Sequence, residues 1–220
     1  MPWIYKNMLF VNSTRVEELI KNSPAGKNTK FLSAAHSLWY RFHNYDKSPP
    51  MAYEDNGEIV SLIFATHNRD GYTNLYEIVT LEGKEGNGYA SKCWDQWIKY
   101  AVEERKSKRL KISCTPSSVS WHCRNGLIFW AVDPTGSLRS DQPLFSDRTE
   151  QIAYRDNAIV NPLQALPPYK ARDQFRAEGL ENYNWSQKKK AKTQAAIDAV
   201  GKAWLRDALM EQPSLEEFLV

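Results

Sequence analysis

Cysteine is scarce in this chain: Cys93, Cys114 and Cys123 are the only three in 220 residues, and none forms a C-x-x-C pair. An odd number at such wide spacing excludes a disulfide framework and suits reduced thiols. Histidine is equally sparse. His36, His43 and His67 have neither the mutual spacing nor the cysteine company of a metal site, so no metal is expected. The charge imbalance is small, 29 Lys and Arg against 26 Asp and Glu, a net +3 that does not by itself imply nucleic acid. No apolar run approaches the ~18 residues of a membrane helix. The opening Met1-Pro2-Trp3-Ile4-Tyr5-Lys6 lacks the apolar core of a signal peptide. These absences lead us to expect a soluble, cytoplasmic protein without membrane contact. There are no internal repeats.

What is present suits a globular protein: 42% apolar and 25% charged residues, with eight Trp and eleven Tyr that favour aromatic packing or a ligand groove. The length fits one domain, or one domain with an appendage. Ser13-Thr14-Arg15-Val16-Glu17 can cap a helix over about 14–22. Apolar spacing predicts a second helix over 29–43. Beyond Pro49-Pro50, strands are expected at 51–54 and 58–66 around an Asn56-Gly57 hairpin turn, and at 72–81 after Asp70-Gly71.

The glycine-rich run Gly83-Lys84-Glu85-Gly86-Asn87-Gly88 follows that third strand and opens an amphipathic helix near Tyr89. A strand that turns through glycines into a helix exposes backbone N–H groups at the positive end of the helix dipole, an arrangement that binds phosphate. A strand at 110–114, a short helix at 117–125, a strand at 127–132 and a last short strand at 142–145 are expected next. From about Arg148 the sequence turns polar and proline-broken (Pro162, Pro167, Pro168), reading as a connector. A helical tail from 185 to 210 follows, with Ala195, Ala196, Ala199, Val200, Ala203, Trp204 and Leu209 as its apolar face.

Two helices, an antiparallel meander, a glycine turn opening a long helix, then strand, short helix and strand: this order resembles the GNAT superfamily of acyl-CoA-dependent N-acyltransferases. The likeness spans roughly residues 8–147. That family's turn reads Arg or Gln, two variable residues, Gly, a variable residue, then Gly or Ala. Here Gly86 and Gly88 supply the later positions, Gly83 stands where Arg or Gln is usual, Lys84 beside it offers a positive charge, and Glu85 a negative one. The segment Ser120-Trp121-His122-Cys123-Arg124-Asn125-Gly126-Leu127 is similar to the family's terminal motif, with His122 where a tyrosine commonly protonates the leaving thiolate.

The resemblance implies an α/β fold, a mixed and mostly antiparallel sheet flanked by helices. A GNAT-like domain would occupy 1–147, and a C-terminal extension of linker plus helix 148–220. It implies acetyl-CoA as co-substrate. Glu85, Gly86, Asn87, Gly88, Tyr89 and Ala90 would hold the pyrophosphate, and the strand edge Ile78, Val79, Thr80 would bind the pantetheine arm. The acceptor would be a primary amine on a small molecule or a protein. Glu77, nearest the expected splay of the central strands, would be the base and His122 the acid.

Each of these residues also has a plain reading. The glycines could serve only a tight turn, Glu77 could face solvent, and His122 could pack beside Trp121 or Trp130. Cys123 reads as a small apolar filler and Trp94 with Trp97 as core. Two further functions stay open. One is a GNAT-like binding or assembly module with little catalysis, of a kind common among viral proteins, its tail helix taking a partner or a second copy. The other is a nucleic-acid base modifier, supported by the lysines at 188–190 and 192 and by the aromatics.

Overall fold

The computed structural model describes the backbone of residues 8–10 and the whole of 50–81, 83–162 and 184–205. The helices expected at 14–22 and 29–43, most of the proline connector, and the tail beyond 205 lie outside the described residues. In chain order the elements are β1 (Met8–Phe10), β2 (Met51–Asp55), β3 (Glu58–His67), β4 (Tyr72–Thr80), α1 (Tyr89–Glu103), β5 (Arg109–Cys114), α2 (Val119–Arg124), β6 (Ala131–Val132), β7 (Leu138–Pro143), α3 (Arg148–Val160) and α4 (Gln187–Val200). A 3-10 turn, Gly201–Ala203, follows. The fold is α/β, a mixed and mostly antiparallel sheet flanked by helices. No helix among the described residues is long and apolar enough to cross a membrane.

The chain divides into two compact units: Met1–Leu110 with Leu144–Asp147, and Lys111–Pro143 with Arg148–Val220.

In the first unit β1 to β4 pair antiparallel in sequence order. Asn56 and Gly57, with φ of 51° and 81°, form the two-residue turn that joins β2 to β3, closed by Asp55 opposite Glu58. Positive φ at both positions is why Asn-Gly marks such hairpins. Ile59 to Ala65 are buried without a break, so β3 is covered on both faces. One cover is α1, whose Trp94, Trp97 and Ile98 are fully buried, with the two indoles 5.2 Å apart. The expectation that these tryptophans are core holds.

The β3–β4 register shifts once. Phe64 pairs with Glu77 but Ala65 with Leu75, leaving Tyr76 as an extra, exposed residue. This bulge re-aims every side chain beyond it. Alternation counted from Leu75 would put Glu77 beside it on one face. The bulge instead sets Glu77 beside Phe64, and Ile78 opposite Ile63.

The second unit departs most from the sequence reading. The strand expected at 127–132 is a ladder only at Ala131–Val132. Upstream, the buried Gln142 side chain replaces a strand neighbour: its Oε1 accepts from the Ile128 N–H (2.9 Å) and its Nε2 donates to the Gly126 carbonyl (2.9 Å). The last strand runs over 138–143 rather than 142–145. Residues 148–160, read as connector, form α3. Only Gln151 and Ala158 of it are buried, too thin a stripe to show in the sequence.

The tail helix ends at Gly201, which takes φ 51°. Its buried residues are Thr193, Ala196 and Ile197, whereas Ala195 and Ala199, expected on the apolar face, are exposed. Beyond it the chain pairs with Phe129, whose N–H donates to the Ala203 carbonyl (2.9 Å) and whose carbonyl accepts from Leu205 (2.8 Å). Leu205 joins Ile128, Trp130, Ala131 and Ala158 in one core. Of this segment's apolar side chains, Ala196, Ile197, Ala203 and Leu205 are buried within its own unit.

Candidate active site

Within the first unit, one strand, one turn and one helix present most of the expected site. Glu77 is half-buried on β4, and loss of hydration raises its pKa above the ordinary carboxylate value. Ile78, Val79 and Thr80 follow, also half-buried, opposite Ile63, Leu62 and Ser61. The Ser61 hydroxyl donates to the Val79 carbonyl at 2.8 Å, which fixes the end of the strand against β3.

Gly83, Gly86 and Gly88 have φ of 81°, 78° and 76°, a conformation that side chains rarely adopt. The turn is fastened by its own groups. The Glu85 carboxylate accepts from the Gly83 N–H at 2.7 Å, and the Asn87 amide donates to the Lys84 and Glu85 carbonyls at 3.2 Å each. Glu85 therefore acts as an internal strut of the turn. The Lys84 ammonium pairs with Glu58 at 2.8 Å, with both side chains partly exposed.

Gly88 caps α1 in the left-handed conformation, with no side-chain cap. Among the described residues no acceptor meets the backbone N–H groups of Asn87, Gly88, Tyr89, Ala90 or Ser91. A Cβ built on Gly83, Gly86 or Gly88 would meet nothing within 4 Å. A stretch of unpaired donors at a helix N-terminus, with clear space before it, fits a pyrophosphate in charge and in room.

Two residues that sequence reasoning passed over hold this turn in place. Asp55 accepts from the Tyr89 hydroxyl at 2.7 Å, and Glu58 takes Lys84. Both flank the Asn56-Gly57 turn, so the β2–β3 hairpin braces the start of α1. The contact spans 34 residues of sequence, and no local pattern signals it.

The terminal-motif segment forms α2 in the second unit. His122 is only 3% exposed, lies edge-on to Trp121 at 5.0 Å, and has no partner for Nδ1 among the described residues. Burial lowers its pKa to about 4, so it is neutral at physiological pH. Gly126, at φ 88°, is required by space as well as conformation: a Cβ there would lie 2.5 Å from the Gln151 carbonyl carbon. The Arg155 guanidinium donates to the Cys123 carbonyl at 2.6 Å. Burial pushes the thiols of Cys93, Cys114 and Cys123 up to about 12, which removes all three as nucleophiles. No metal-ligand cluster occurs among the described residues.

A meander, a bulged fourth strand and a glycine turn of free amides opening a helix make an α/β fold with an anion-compatible helix start. Residues 16–123 match the family model described as Acetyltransferase (GNAT) family. The chain belongs to the GNAT superfamily. Among solved structures, Tetrahymena GCN5 shares 8% identity, with 64% of this chain and 96% of that one covered at a TM-score of 0.50. An Ard1 from Thermoplasma volcanium (11% identity, 63% and 97% covered, TM-score 0.49) is also similar. So is a GNAT acetyltransferase from Staphylococcus aureus (16%, 63% and 99%, TM-score 0.49). Identities this low speak to the fold alone. No curated protein matched the sequence.

Proposed function

We propose that this chain transfers an acetyl group from acetyl-CoA to a primary amine in the cytoplasm, by direct attack within a ternary complex. The observation that carries the reading is the row of unpaired N–H groups from Asn87 to Ser91 facing open space before Gly86 and Gly88. In this scheme the turn from Glu85 to Ala90 holds the pyrophosphate through Asn87, Gly88, Tyr89 and Ala90 amides, and Glu85 acts by shaping the turn. The Ile78 to Thr80 edge takes the pantetheine arm and offers backbone N–H groups to the thioester oxygen. Acetyl-CoA, when bound, supplies an activated thioester. Glu77 takes the ammonium proton, directly or through a water, and its raised pKa brings it closer to the basicity that step needs.

His122 enters only as a neutral imidazole able to donate a hydrogen bond to the departing sulfur. With a pKa of about 4 it is no imidazolium acid at neutral pH. Residues 1–147 carry the chemistry in this reading, and the acceptor is an amine whose identity no motif specifies.

One observation favours a second reading, a domain that binds acyl-CoA with little turnover. The Glu85 carboxylate sits inside the turn and occupies the Gly83 amide, at a position where the family carries a cation nearby. One experiment supports or removes both. A single-site ligand at 100 times Kd adds about 2.7 kcal/mol of stability, which for a chain of this size raises the melting temperature by roughly 5–10 °C. No shift with acetyl-CoA or CoA removes both readings. A shift without thiol release across a panel of primary amines leaves the binding domain.

A further inference from the structure

Two lysines flank the glycine turn, and their surroundings differ. Lys84 lies 2.8 Å from the Glu58 carboxylate, so an anion that meets it also meets a negative charge. Lys92, on the first turns of α1, makes no ion pair among the described residues. Its ammonium lies over the ring of Tyr89 instead, 5.3 Å from the centroid. Helical side chains lean towards the N-terminus of their helix. The contact therefore carries the charge back over the start of α1, where Asn87 to Ser91 present their unpaired N–H groups. No acidic residue stands in that first turn.

The ring beneath Lys92 is itself held. The Tyr89 hydroxyl donates to Asp55 at 2.7 Å, and the buried Tyr53 ring flanks Tyr89 at 6.3 Å. A phenol that donates to a carboxylate has a more electron-rich face, which strengthens its attraction for an ammonium. Asp55 acts on Lys92 only through that ring. A cation near the positive end of a helix is disfavoured by the dipole, and an anion bound at the same end reverses the sign. With no carboxylate paired to it, Lys92 gains the full attraction of a phosphate that reaches the turn.

We propose that Lys92 binds the pyrophosphate of acyl-CoA, in place of the Arg or Gln whose position Gly83 occupies, and that Asp55 and Tyr89 are its positioning residues. The proposal rests on the acyl-CoA reading of the turn. In it the backbone N–H groups supply hydrogen bonds at fixed angles, and the ammonium supplies a point charge on a flexible stem.

The test is calorimetry of the full chain with CoA and with dephospho-CoA, which keeps the pyrophosphate and lacks the 3′-phosphate. Lys92→Gln should weaken both ligands about tenfold. Its melting temperature should stay at the wild-type value, since Lys92 is exposed, and Lys92→Arg should bind close to wild type. Wild-type affinity should also fall with added salt more steeply than that of Lys92→Gln. Tyr89→Phe keeps the ring and drops the bond to Asp55. It should weaken CoA about threefold in the wild-type chain and have no further effect in Lys92→Gln. Losses that simply add would overturn the positioning role of Asp55 and Tyr89. Unchanged affinity in Lys92→Gln, or a loss confined to CoA, would overturn Lys92 as the pyrophosphate cation. A wild-type chain that binds neither ligand would remove the acyl-CoA reading itself, and this proposal with it.

Discussion

Gly88→Ala and Gly126→Ala place the same methyl group at almost the same backbone angle, φ 76° and 88°, with opposite consequences. At Gly88 the new Cβ meets nothing within 4 Å. The cost is then the left-handed conformation alone, about 1 kcal/mol. At Gly126 the Cβ would lie 2.5 Å from the Gln151 carbonyl carbon, 2.6 Å from its oxygen and 2.7 Å from the Ile152 nitrogen. These are backbone atoms of α3 and cannot swing aside, so overpacking adds roughly 1–3 kcal/mol to the same strain. At roughly 2–4 °C per kcal/mol for a chain this long, Gly88→Ala should melt ~3 °C below wild type and Gly126→Ala ~10 °C below. Calorimetry with CoA should show the reverse order: a tenfold or greater loss of affinity in Gly88→Ala, where the methyl enters the space proposed for pyrophosphate, and near wild-type affinity in Gly126→Ala below its melting range. Equal melting temperatures would refute the steric account of Gly126. Unchanged CoA affinity in Gly88→Ala would refute the turn as a phosphate cradle.

Glu77→Gln should lower turnover by ~10²-fold and flatten the rising limb of the pH–rate profile, which in wild type climbs as pH passes the raised pKa of Glu77. The same substitution should raise the melting temperature at pH 7, because a carboxylate whose folded pKa is raised opposes folding once it is ionised; an unchanged profile removes Glu77 as base. His67 and His122 are both lowered from 6.5 to about 4, so the stability they contribute is whole above pH 6.5 and is lost as pH falls towards 4. Melts between pH 7 and 4.5 should show that loss, and replacing either histidine by a neutral side chain of similar size should reduce it. A chain ending at Asp147 should lose cooperative melting of its second unit, since Ala158 and Leu205 complete the core around Ile128, Trp130 and Ala131; a sharp two-state transition in that fragment would contradict this. Cys123→Ser should leave turnover within twofold, as expected of a thiol that burial keeps protonated.

The local signals of the chain carried their own structure. Asn56-Gly57 made its hairpin because two consecutive positive φ angles suit those residues, and the run from Ile59 to Phe64 formed a strand that is covered on both faces. The turn from Gly83 to Gly88 opened a helix at Tyr89 because only glycine accepts those three angles cheaply. The family's order of elements was readable for the same reason. What the sequence could not determine was every relation carried by long-range contact. The bulge at Tyr76, which sets Glu77 opposite Phe64, follows from pairing against β3 and leaves no mark in the alternation of β4. Lys84 and Glu85 looked free to meet a phosphate until the fold supplied Glu58 to one and the Gly83 amide to the other. His122 carried an ordinary imidazole pKa until packing buried it. Residues 148–160 and 187–205 read as connector and appendage because α3 buries few side chains of its own. Their place in the core was decided by what they cover, and a sequence read one segment at a time does not contain that information.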